Sequence, residues 1–476
     1  MYLENKKYLI GALTSKPYAF LSRSWELKVY ESVDIYDNFG SNIRFDVNNL
    51  KILRILPKIN KNLNENWITD KVRFCYDGLY KQRINSPLLR EDNKLVPVTW
   101  LTALQKFKEI TNDKYIESFC GSFVDLETMY IFKEFLTKLG YNSFNFMNFK
   151  TYKTTNLRET YRCSLLVKNL KYIKNLFLFG INIRLENPIL NIKIRQLTLH
   201  SNLKIFNFNF ISNLTYAATN FGNNIYSFLN FLEGKSYLCS KVLNSSLNYM
   251  LIGYNLFYRY DSNFYQKLIQ IFNSFFKNFI GSFFWQGANS YSSAELGSSQ
   301  NILEKHINRS SKILYLLDMD DIFFKKDNYD YIIYQGHHGN LNLYYSDLVF
   351  AGVTPYEKSG IFMNLFGIQQ KSNLIIKPTK KVKNDWKIIK ALGDFCVVPL
   401  FYESHKDILR KINKIIPNNL NNLNTLNFRN SHFQSYYLEN SSILNYMGNY
   451  YLTDIISRSS LVMSLCSIRF KVLNIY

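Results

Sequence analysis

The run Leu176-Phe177-Leu178-Phe179, closed by Gly180, decides the fold class of this chain. Consecutive large apolar residues that end at a glycine are typical of a strand buried on both faces of a parallel sheet. Residues 313–317 (ILYLL) and 331–334 (YIIY) have the same character. Helical patterns stand between such runs, and strands that alternate with helices predict a doubly wound α/β fold.

Two helices are predicted in the region that follows Pro97. The first begins at Trp100 with Thr99 as its N-cap, because a threonine side chain accepts a hydrogen bond from the first helical turn. The second covers residues 125–139 and ends at Gly140, since glycine readily takes the left-handed conformation that closes a helix.

The region before these helices is predicted to be rich in strands. Apolar side chains recur at alternate positions over 29–35 and 43–47, as in half-buried strands. The turn residues 38–41 (NFGS) separate these two strands, and a short third strand is predicted over 52–56. The sequence therefore predicts a small strand-rich domain in front of the α/β region.

These changes of pattern divide the chain into five predicted segments. They are residues 1–25, a junction segment; 26–95, the small strand-rich domain; 96–235 and 236–400, two α/β domains; and 401–476, a loop and a C-terminal helical tail. Residues 419–428 (NLNNLNTLNF) are of low complexity and are predicted to form a surface loop or linker. The segment beyond Asn449 is predicted to fold back on the body as a helix.

The charge of the chain has two explanations. Its 58 Lys and Arg against 36 Asp and Glu give a formal charge of +22 over 476 residues. Such a charge fits a nucleic-acid or lipid partner, so a basic organellar RNA-binding protein is one alternative. AT-rich coding in an organellar genome is the other, because Tyr (36) and Phe (38) are abundant while Gly (19) and Pro (9) are scarce. The spread of the basic residues along the chain favours coding. The sequence contains no run of about 18 or more apolar residues, so no transmembrane helix is predicted.

Candidate chemistry is limited to loops that follow strands. The turn Gly180-Ile181-Asn182 precedes a helix whose N-terminus would suit a phosphate, but an inherited turn capped by Asn182 is the favoured explanation. Asp318, Asp320 and Asp321 follow another strand. Three carboxylates there would repel a pyrophosphate unless a metal ion reversed the charge.

The turn Gln335-Gly336-His337-His338-Gly339 follows a third strand. Adjacent His side chains on an extended chain point to opposite faces, so the pair is not expected to bind one metal. We expect the two imidazoles to form hydrogen bonds with the backbone or with a neighbouring subunit. The chain has no GxGxxG or GxxxxGK motif, and no nucleophile–base set can be assembled, so no catalytic residue is predicted.

Residues 11–20 (GALTSKPYAF) resemble the exit from the iron–sulfur region of the 75 kDa subunit of respiratory complex I, the largest subunit of its peripheral arm. Further matching words follow in the order of that family. They are 31–42 (ESVDIYDNFGSN), 67–79 (WITDKVRFCYDGL), 82–90 (QRINSPLLR), 178–195 (LFGINIRLENPILNIKIR), 334–339 (YQGHHG), 357–359 (EKS), 384–392 (NDWKIIKAL) and 451–466 (YLTDIISRSSLVMSLC). The resemblance implies a small strand-rich domain followed by doubly wound α/β domains similar to those of molybdopterin oxidoreductases.

The chain departs from the ligand positions that the resemblance implies. Where the family has cluster-ligating cysteines, this chain has Tyr8 and Thr69. Its cysteines form no CxxC group, and one thiolate cannot hold a cubane. They stand at 75, 120, 163, 239, 396 and 466. We therefore expect reduced thiols and no cofactor in this chain, with iron–sulfur clusters and FMN in partner subunits.

The expected function is that of a structural and assembly subunit, without a redox centre of its own, in the peripheral, matrix-side arm of mitochondrial NADH:ubiquinone oxidoreductase (complex I). The resemblance implies that the N-terminal iron–sulfur domain is lacking and is made as a separate partner polypeptide, beside the other peripheral-arm subunits. No nucleic-acid partner is expected. Tyr18, Phe20 and Trp25 are the expected docking residues, since aromatic side chains are enriched in buried contacts. No presequence is evident, so synthesis inside the organelle is expected. A free molybdenum or tungsten–pterin oxidoreductase is the other alternative.

Overall fold

The computed structural model describes residues 15–112, 114–141, 144–146, 167–209, 213–235, 247–254, 256, 259, 261, 264–265, 267–269, 273, 278–297, 312–320, 324, 326–416, 442 and 449–473. Several sequence predictions fall outside these residues. They concern Tyr8, Cys163, Cys239, Asp321 and the low-complexity stretch 419–428.

Strands occur throughout the described part of the chain. In chain order they are β1 (Lys28–Val33), β2 (Asn42–Asn48), β3 (Lys51–Pro57), β4 (Leu88–Glu91), β5 (Lys94–Pro97), β6 (Tyr115–Cys120), β7 (Phe144–Phe146), β8 (Asn175–Phe179), β9 (Lys204–Phe208), β10 (Thr219–Asn220), β11 (Asn248–Gly253), β12 (Phe279–Phe284), β13 (Lys312–Leu317), β14 (Tyr331–Gly336), β15 (Leu348–Ala351), β16 (Gly360–Met363) and β17 (Gln369–Ser372).

Helices connect many of these strands. In chain order they are α1 (Asp70–Phe74), α2 (Trp100–Thr111), α3 (Leu126–Lys138), α4 (Ile183–Glu186), α5 (Pro188–His200), α6 (Ile225–Leu232), α7 (Ser290–Glu295), α8 (Leu341–Tyr345), α9 (Asp385–Phe395), α10 (His405–Ile415), α11 (Ile455–Ser459) and α12 (Leu461–Leu473). None of the helices in the described ranges combines the length and the apolar character that a bilayer crossing requires.

The strand-rich region predicted near the N-terminus is confirmed as an antiparallel sheet, β1-β2-β3. The predicted alternation is confirmed over 43–47, where Ile43 and Phe45 are buried on one face with Ile55. Over 29–35 it is wrong, because β1 ends at Val33, Val29 is exposed, and Ser32 and Val33 are both buried. The predicted C-terminal helix is also confirmed. Helices α11 and α12 pack on the short 3₁₀ helix Cys75–Tyr80, beside this small sheet.

Two larger sheets carry the α/β fold. One has the order β5-β4-β15-β14-β13-β6-β7, with its five strands from β15 to β7 parallel. The other, β10-β9-β8-β11-β12, is parallel throughout. The strands predicted over 176–179, 313–317 and 331–334 are confirmed as β8, β13 and β14. The predicted doubly wound α/β class is thus the observed one.

The second sheet is nested inside the first. After β7 the chain leaves the seven-stranded sheet, forms β8 to β12, and then returns at β13. The two predicted α/β segments, 96–235 and 236–400, therefore each contribute strands to both sheets. The alternation of strands and helices is a local pattern and does not show which strands pair, so nesting is not visible in it.

Helices α2 and α3 begin where the sequence places them. The side chain of Thr99 accepts from the N–H of Thr102 at 3.2 Å, and that of Asp125 accepts from the N–H of Thr128 at 3.2 Å. Both helices turn their apolar faces to the seven-stranded sheet, where aromatic rings from α2, α3 and β13 meet in the core. Asp125 therefore sits at a fixed point directly after β6.

Candidate functional site

The carboxyl ends of β6, β13, β14 and β15 lie side by side in the seven-stranded sheet. Ligands of open α/β sheets bind outside these ends, at the place where the strand order reverses. Here the chain continues from β6 outward to β7, whereas β13, β14 and β15 extend in the other direction. The loops at these ends are therefore the place to look for chemistry.

A buried cluster of charges fills this place. The ammonium of Lys358 lies 2.5 Å from Oδ1 of Asp125 and 2.6 Å from Oδ2 of Asp385, and its side chain is 6% exposed. Asp125 caps α3, Asp385 is the first residue of α9, and Lys358 follows the 3₁₀ turn after β15. Three elements that are distant in the chain are thereby tied together.

Burial opposes each charge in this cluster, so the pKa values show which interactions prevail. Burial acts to raise the pKa of Asp125, but the charge and hydrogen bond of Lys358 outweigh it and lower that pKa. For Asp385 burial prevails over Lys358, and the pKa is raised. Burial acts to lower the pKa of Lys358, yet the two carboxylates raise it. The cluster therefore holds a firmly protonated Lys358 against an ionised Asp125.

The cluster continues into the sheet through Gln335 of β14. Its Nε2 donates to Oδ1 of Asp385 at 3.2 Å, and its Oε1 accepts from the hydroxyl of Tyr315 on β13 at 2.6 Å. Both Gln335 and Tyr315 are fully buried. Because buried polar groups are costly unless they are paired, this chain of bonds fixes the relative positions of β13, β14 and α9.

The prediction that His337 and His338 point to opposite faces is wrong. Strand β14 ends at Gly336, and the two buried rings then contact each other, with centroids 4.7 Å apart. The expected hydrogen bond to the backbone is confirmed for His338, whose Nε2 donates to the carbonyl oxygen of Gly78 at 3.0 Å. Burial is the main cause that lowers both pKa values, to about 3 for His337. Both imidazoles are therefore neutral at physiological pH.

The carboxylates predicted after β13 have internal partners where the structure describes them. Oδ2 of Asp318 lies 3.2 Å from Nε2 of His337, and burial raises the pKa of Asp318 to about 7. Asp320 forms an ion pair with Arg458 of α11. These contacts attach the loop to β14 and to the C-terminal helices.

The turn after β8 has no open phosphate site at Asn182. Gly180 has a φ of 61°, as a tight turn requires, but the backbone N–H of Asn182 donates to Oε1 of Glu186 at 2.9 Å. The protein's own carboxylate takes the place of an anion there. The predicted cap by Asn182 is wrong, since its side chain forms no capping bond; Asn187 instead accepts from the N–H of Leu190 at 2.9 Å.

The expected docking residues Tyr18, Phe20 and Trp25 have different surroundings. Tyr18 is buried, with the guanidinium of Arg54 4.4 Å from its ring centroid. Phe20 is fully exposed and Trp25 is 79% exposed. Their docking role stays a prediction, with Tyr18 placed to hold the segment and the other two facing outward.

Sequence reasoning missed Lys358, Asp125 and Asp385 as a group. The sequence pattern marks Asp125 only as the start of a helix, and Lys358 only as part of a stretch that matches the family. The available signal is weak, because nothing local shows that three residues so distant in the chain meet at one sheet edge.

Two family models match the chain. Residues 83–395 match the model described as Molybdopterin oxidoreductase, and the charge cluster lies within that range. Residues 27–77 match the model described as NADH-ubiquinone oxidoreductase NDSU1/NuoG-like, 4Fe-4S domain.

Curated relatives agree with these matches. The chain is 34% identical to the NADH-ubiquinone oxidoreductase 75 kDa subunit of Reclinomonas americana, over 97% of this chain and 71% of that protein. The chain belongs to the family of the NADH-ubiquinone oxidoreductase 75 kDa subunit. Other members are the 75 kDa subunit of Acanthamoeba castellanii (33% identical; 97% and 70% covered) and the mitochondrial 78 kDa subunit of Candida albicans (31% identical; 96% and 66% covered).

The fold is also similar to a solved structure, acetylene hydratase from Pelobacter acetylenicus. The TM-score is 0.54 with 11% sequence identity, over 77% of this chain and 69% of the other. At this identity the likeness concerns the fold alone, and it agrees with the molybdopterin-oxidoreductase-like α/β class.

Membership of the 75 kDa subunit family corrects one prediction and weakens another. The prediction that this chain carries no cofactor is wrong, because residues 27–77 match a 4Fe-4S domain. The expected lack of the iron–sulfur domain, and with it a separate N-terminal polypeptide as partner, finds no support. Cysteine ligands alone do not reveal this match, which rests on residues 27–77 of the small domain.

The side chains now present in residues 27–77 can be compared with the needs of such a cluster. Cys75 is the one cysteine in that range; it is buried, and burial raises the pKa of its thiol. A 4Fe–4S cubane is held by four thiolates. Among the described residues no three His, Cys, Asp or Glu side chains converge as a metal-binding group. The donors described here do not fit a cubane.

The molybdopterin match implies a pterin nucleotide at the strand ends, and those residues do not fit it either. The crevice is filled by Lys358 and its two carboxylates, with Asp318 beside them. A Cβ added to Gly121, directly after β6, would lie 1.9 Å from the carbonyl oxygen of Asp318. Loops packed this closely, with more carboxylates than cations, leave neither space nor charge for a pyrophosphate.

Proposed function

We propose that this chain is a structural and assembly subunit of the peripheral arm of mitochondrial complex I, on the matrix side of the inner membrane. The observation that carries the proposal is the cluster of Lys358, Asp125 and Asp385, which closes the crevice where the fold would otherwise take a ligand. A site whose charged groups pair with one another holds elements in place and has no group available to react.

The two histidines after β14 support the same role. His337 and His338 are buried and neutral, and they connect β14 to the loop at Asp318 and to Gly78 in the small domain. His338 lies within the molybdopterin oxidoreductase match, and Gly78 lies one residue beyond the end of the 4Fe-4S match. The site therefore acts as a joint between the small domain and the large one.

The exposed aromatic residues Phe20 and Trp25 supply a surface for neighbouring subunits of the peripheral arm. Large apolar side chains at this exposure lose water when a partner covers them, which favours association. Synthesis of the chain inside the organelle is part of the proposal, on the ground of its amino-acid composition, which is rich in Tyr and Phe and poor in Gly and Pro, as AT-rich coding would produce.

A native gel of mildly solubilised mitochondrial membranes tests this function. An antibody against the chain should detect it at the position of assembled, NADH-oxidising complex I, and depletion of the chain should reduce the amount of that complex. Migration of the chain apart from complex I, or full assembly without it, would contradict the proposal. A subunit of another respiratory complex is the control for general loss of membrane proteins.

A further inference from the structure

A small pocket lies between the small domain, the ends of β6 and β12, the α4–α5 junction and residues 450–454. It is separate from the Lys358 cluster. Its charged lining residues are Asp37, Lys71, Glu186 and Asp454. The space open to water centres is about 50 Å³. Since one water needs about 10–15 Å³ on this measure, the pocket has room for a few waters or one compact ion, not for a nucleotide.

Two buried carboxylates in this pocket each have one oxygen fixed and one oxygen open. Oδ1 of Asp37 accepts from the backbone N–H of Phe39 at 3.0 Å, and Oε1 of Glu186 accepts from that of Asn182 at 2.9 Å. Oδ2 of Asp37 and Oε2 of Glu186 are buried and have no hydrogen-bond partner among the described residues. The side chains are only 7% and 6% exposed. A buried oxygen without a partner that lines a cavity can accept a bond from, or coordinate, whatever occupies that cavity.

The charges around the pocket are not balanced. Among the described residues that line it, Lys71 carries the one positive charge. Its Nζ donates to Oγ1 of Thr453 at 2.6 Å and lies 3.6 Å from Oδ2 of Asp454. Lys71 is thus held at Asp454, while burial raises the pKa of Asp37 to about 6 and that of Glu186 to about 8. The charge of Lys71 opposes the rise of the pKa at Asp37 only in part, and at Glu186 the opposing cause is the hydrogen bond from Asn182.

We propose that this pocket binds one compact monovalent cation of the K⁺ or ammonium class, held by the open oxygens of Asp37 and Glu186. Carboxylate oxygens are hard donors, which suit such ions better than the sulfur-seeking metals do. Within the part of the chain that the structure describes, no three His, Cys, Asp or Glu side chains form a metal-binding group, so a transition-metal site built from several such ligands is not indicated. The ion would join the small domain to α4, which carries Glu186. This inference does not depend on the proposed function.

Thermal unfolding of the purified full chain tests the proposal. The chain is exchanged into N-methyl-D-glucamine buffer, and K⁺ or ammonium replaces that bulky cation at constant ionic strength. We expect the midpoint to rise by at least about 2 °C and to saturate, because a ligand that binds only the folded state stabilises it. Rb⁺, a K⁺ analogue, should also be retained stoichiometrically in equilibrium dialysis.

Glu186→Gln keeps the shape of the side chain and removes its charge, so it should abolish both the K⁺-dependent rise and the Rb⁺ binding. Glu117→Gln is the matched control: Glu117 lies outside the pocket and accepts from the hydroxyl of Tyr329 at 3.0 Å, and this variant should keep both responses. If Glu186→Gln does not fold, Rb⁺ dialysis of the unchanged chain still decides. The proposal would be overturned by equal unfolding midpoints in the two buffers, or by Rb⁺ binding that Glu186→Gln retains. It would also be overturned if low pH alone stabilised the chain, because protons would then neutralise the pocket without an ion.

Discussion

Nζ of Lys358 and Oδ1 of Asp125 lie 2.5 Å apart, and less than a tenth of either side chain is exposed. The pair connects the segment after β15 with the first residue before α3, across the end of the seven-stranded sheet. An ion pair at this depth gains little over a well-packed apolar pair, but removal of one partner leaves the other charge buried and uncompensated. The pair is therefore most informative when a single member is changed.

The first prediction concerns Lys358→Met. The variant should lower the free energy of unfolding by about 3–5 kcal/mol, because Asp125 and Asp385 lose their common cation. Chemical denaturation followed by circular dichroism measures this change. The control is Lys377→Met, since Lys377 is exposed and should change stability by no more than about 0.5 kcal/mol.

Neutral partners should restore part of the loss. Lys358→Met combined with Asp125→Asn and Asp385→Asn removes all three charges, and it should be more stable than Lys358→Met alone. If Lys358→Met has the same free energy of unfolding as Lys377→Met, the cluster does not hold these elements together.

The sequence revealed the fold further than it revealed the site, for a physical reason. The strand at 176–179 and the caps Thr99 and Asp125 depend on neighbouring residues, so local patterns predicted them. The contact of Lys358 with Asp125 depends on which strands become neighbours in the nested sheets, and no local pattern contains that information. The prediction that His337 and His338 point to opposite faces failed for a related reason. The alternation of side chains that a strand imposes ends with β14 at Gly336, before the two histidines.

A second prediction concerns His405, the first residue of α10. Its Nε2 lies 3.0 Å from Oε1 of the fully buried Glu127. The hydrogen bond with Glu127 is the main cause that raises the pKa of His405, with Asp125 adding to the shift and Lys371 opposing it. Burial raises the pKa of Glu127 as well, despite His405.

Both raised pKa values act in the same direction. A group whose pKa is raised in the folded state stabilises fully below its unfolded pKa and loses that contribution as the pH rises through the folded value. For Glu127 the loss begins above about pH 4.3, and for His405 above about pH 6.5. His405→Gln should therefore flatten the fall of the unfolding midpoint above about pH 6.5. The control is His200→Gln, which changes an exposed histidine at the end of α5. If the unfolding midpoint falls with pH at the same slope in the unchanged chain, His405→Gln and His200→Gln, the prediction is refuted.

The third prediction concerns Phe20 and Trp25. Changing both to Ser should reduce the share of the chain found in assembled complex I. The expected loss of binding free energy is about 2 kcal/mol for each residue that acts as an anchor. The unfolding midpoint of the isolated chain should stay nearly the same, because both side chains are exposed. Leu199→Ser changes another exposed apolar residue, on α5, and should leave assembly intact. If the double variant assembles as well as Leu199→Ser, this surface does not bind a partner.

The last prediction separates packing from chemistry at His337 and His338. If the two rings serve hydrogen bonding, His337→Ala or His338→Ala should lower the free energy of unfolding by about 1–3 kcal/mol, since each leaves a buried partner unsatisfied. The pKa of His337, about 3, agrees with this role, because such an imidazole is uncharged at neutral pH and keeps one N–H donor and one acceptor nitrogen. Membranes with either variant should contain less complex I, while NADH turnover per assembled complex stays near normal. Tyr344→Ala, an exposed change on the following helix α8, is the control and should leave both quantities unchanged. Full assembly with a large fall in turnover per complex would place these histidines in the chemistry of the complex and would end the structural interpretation of the site.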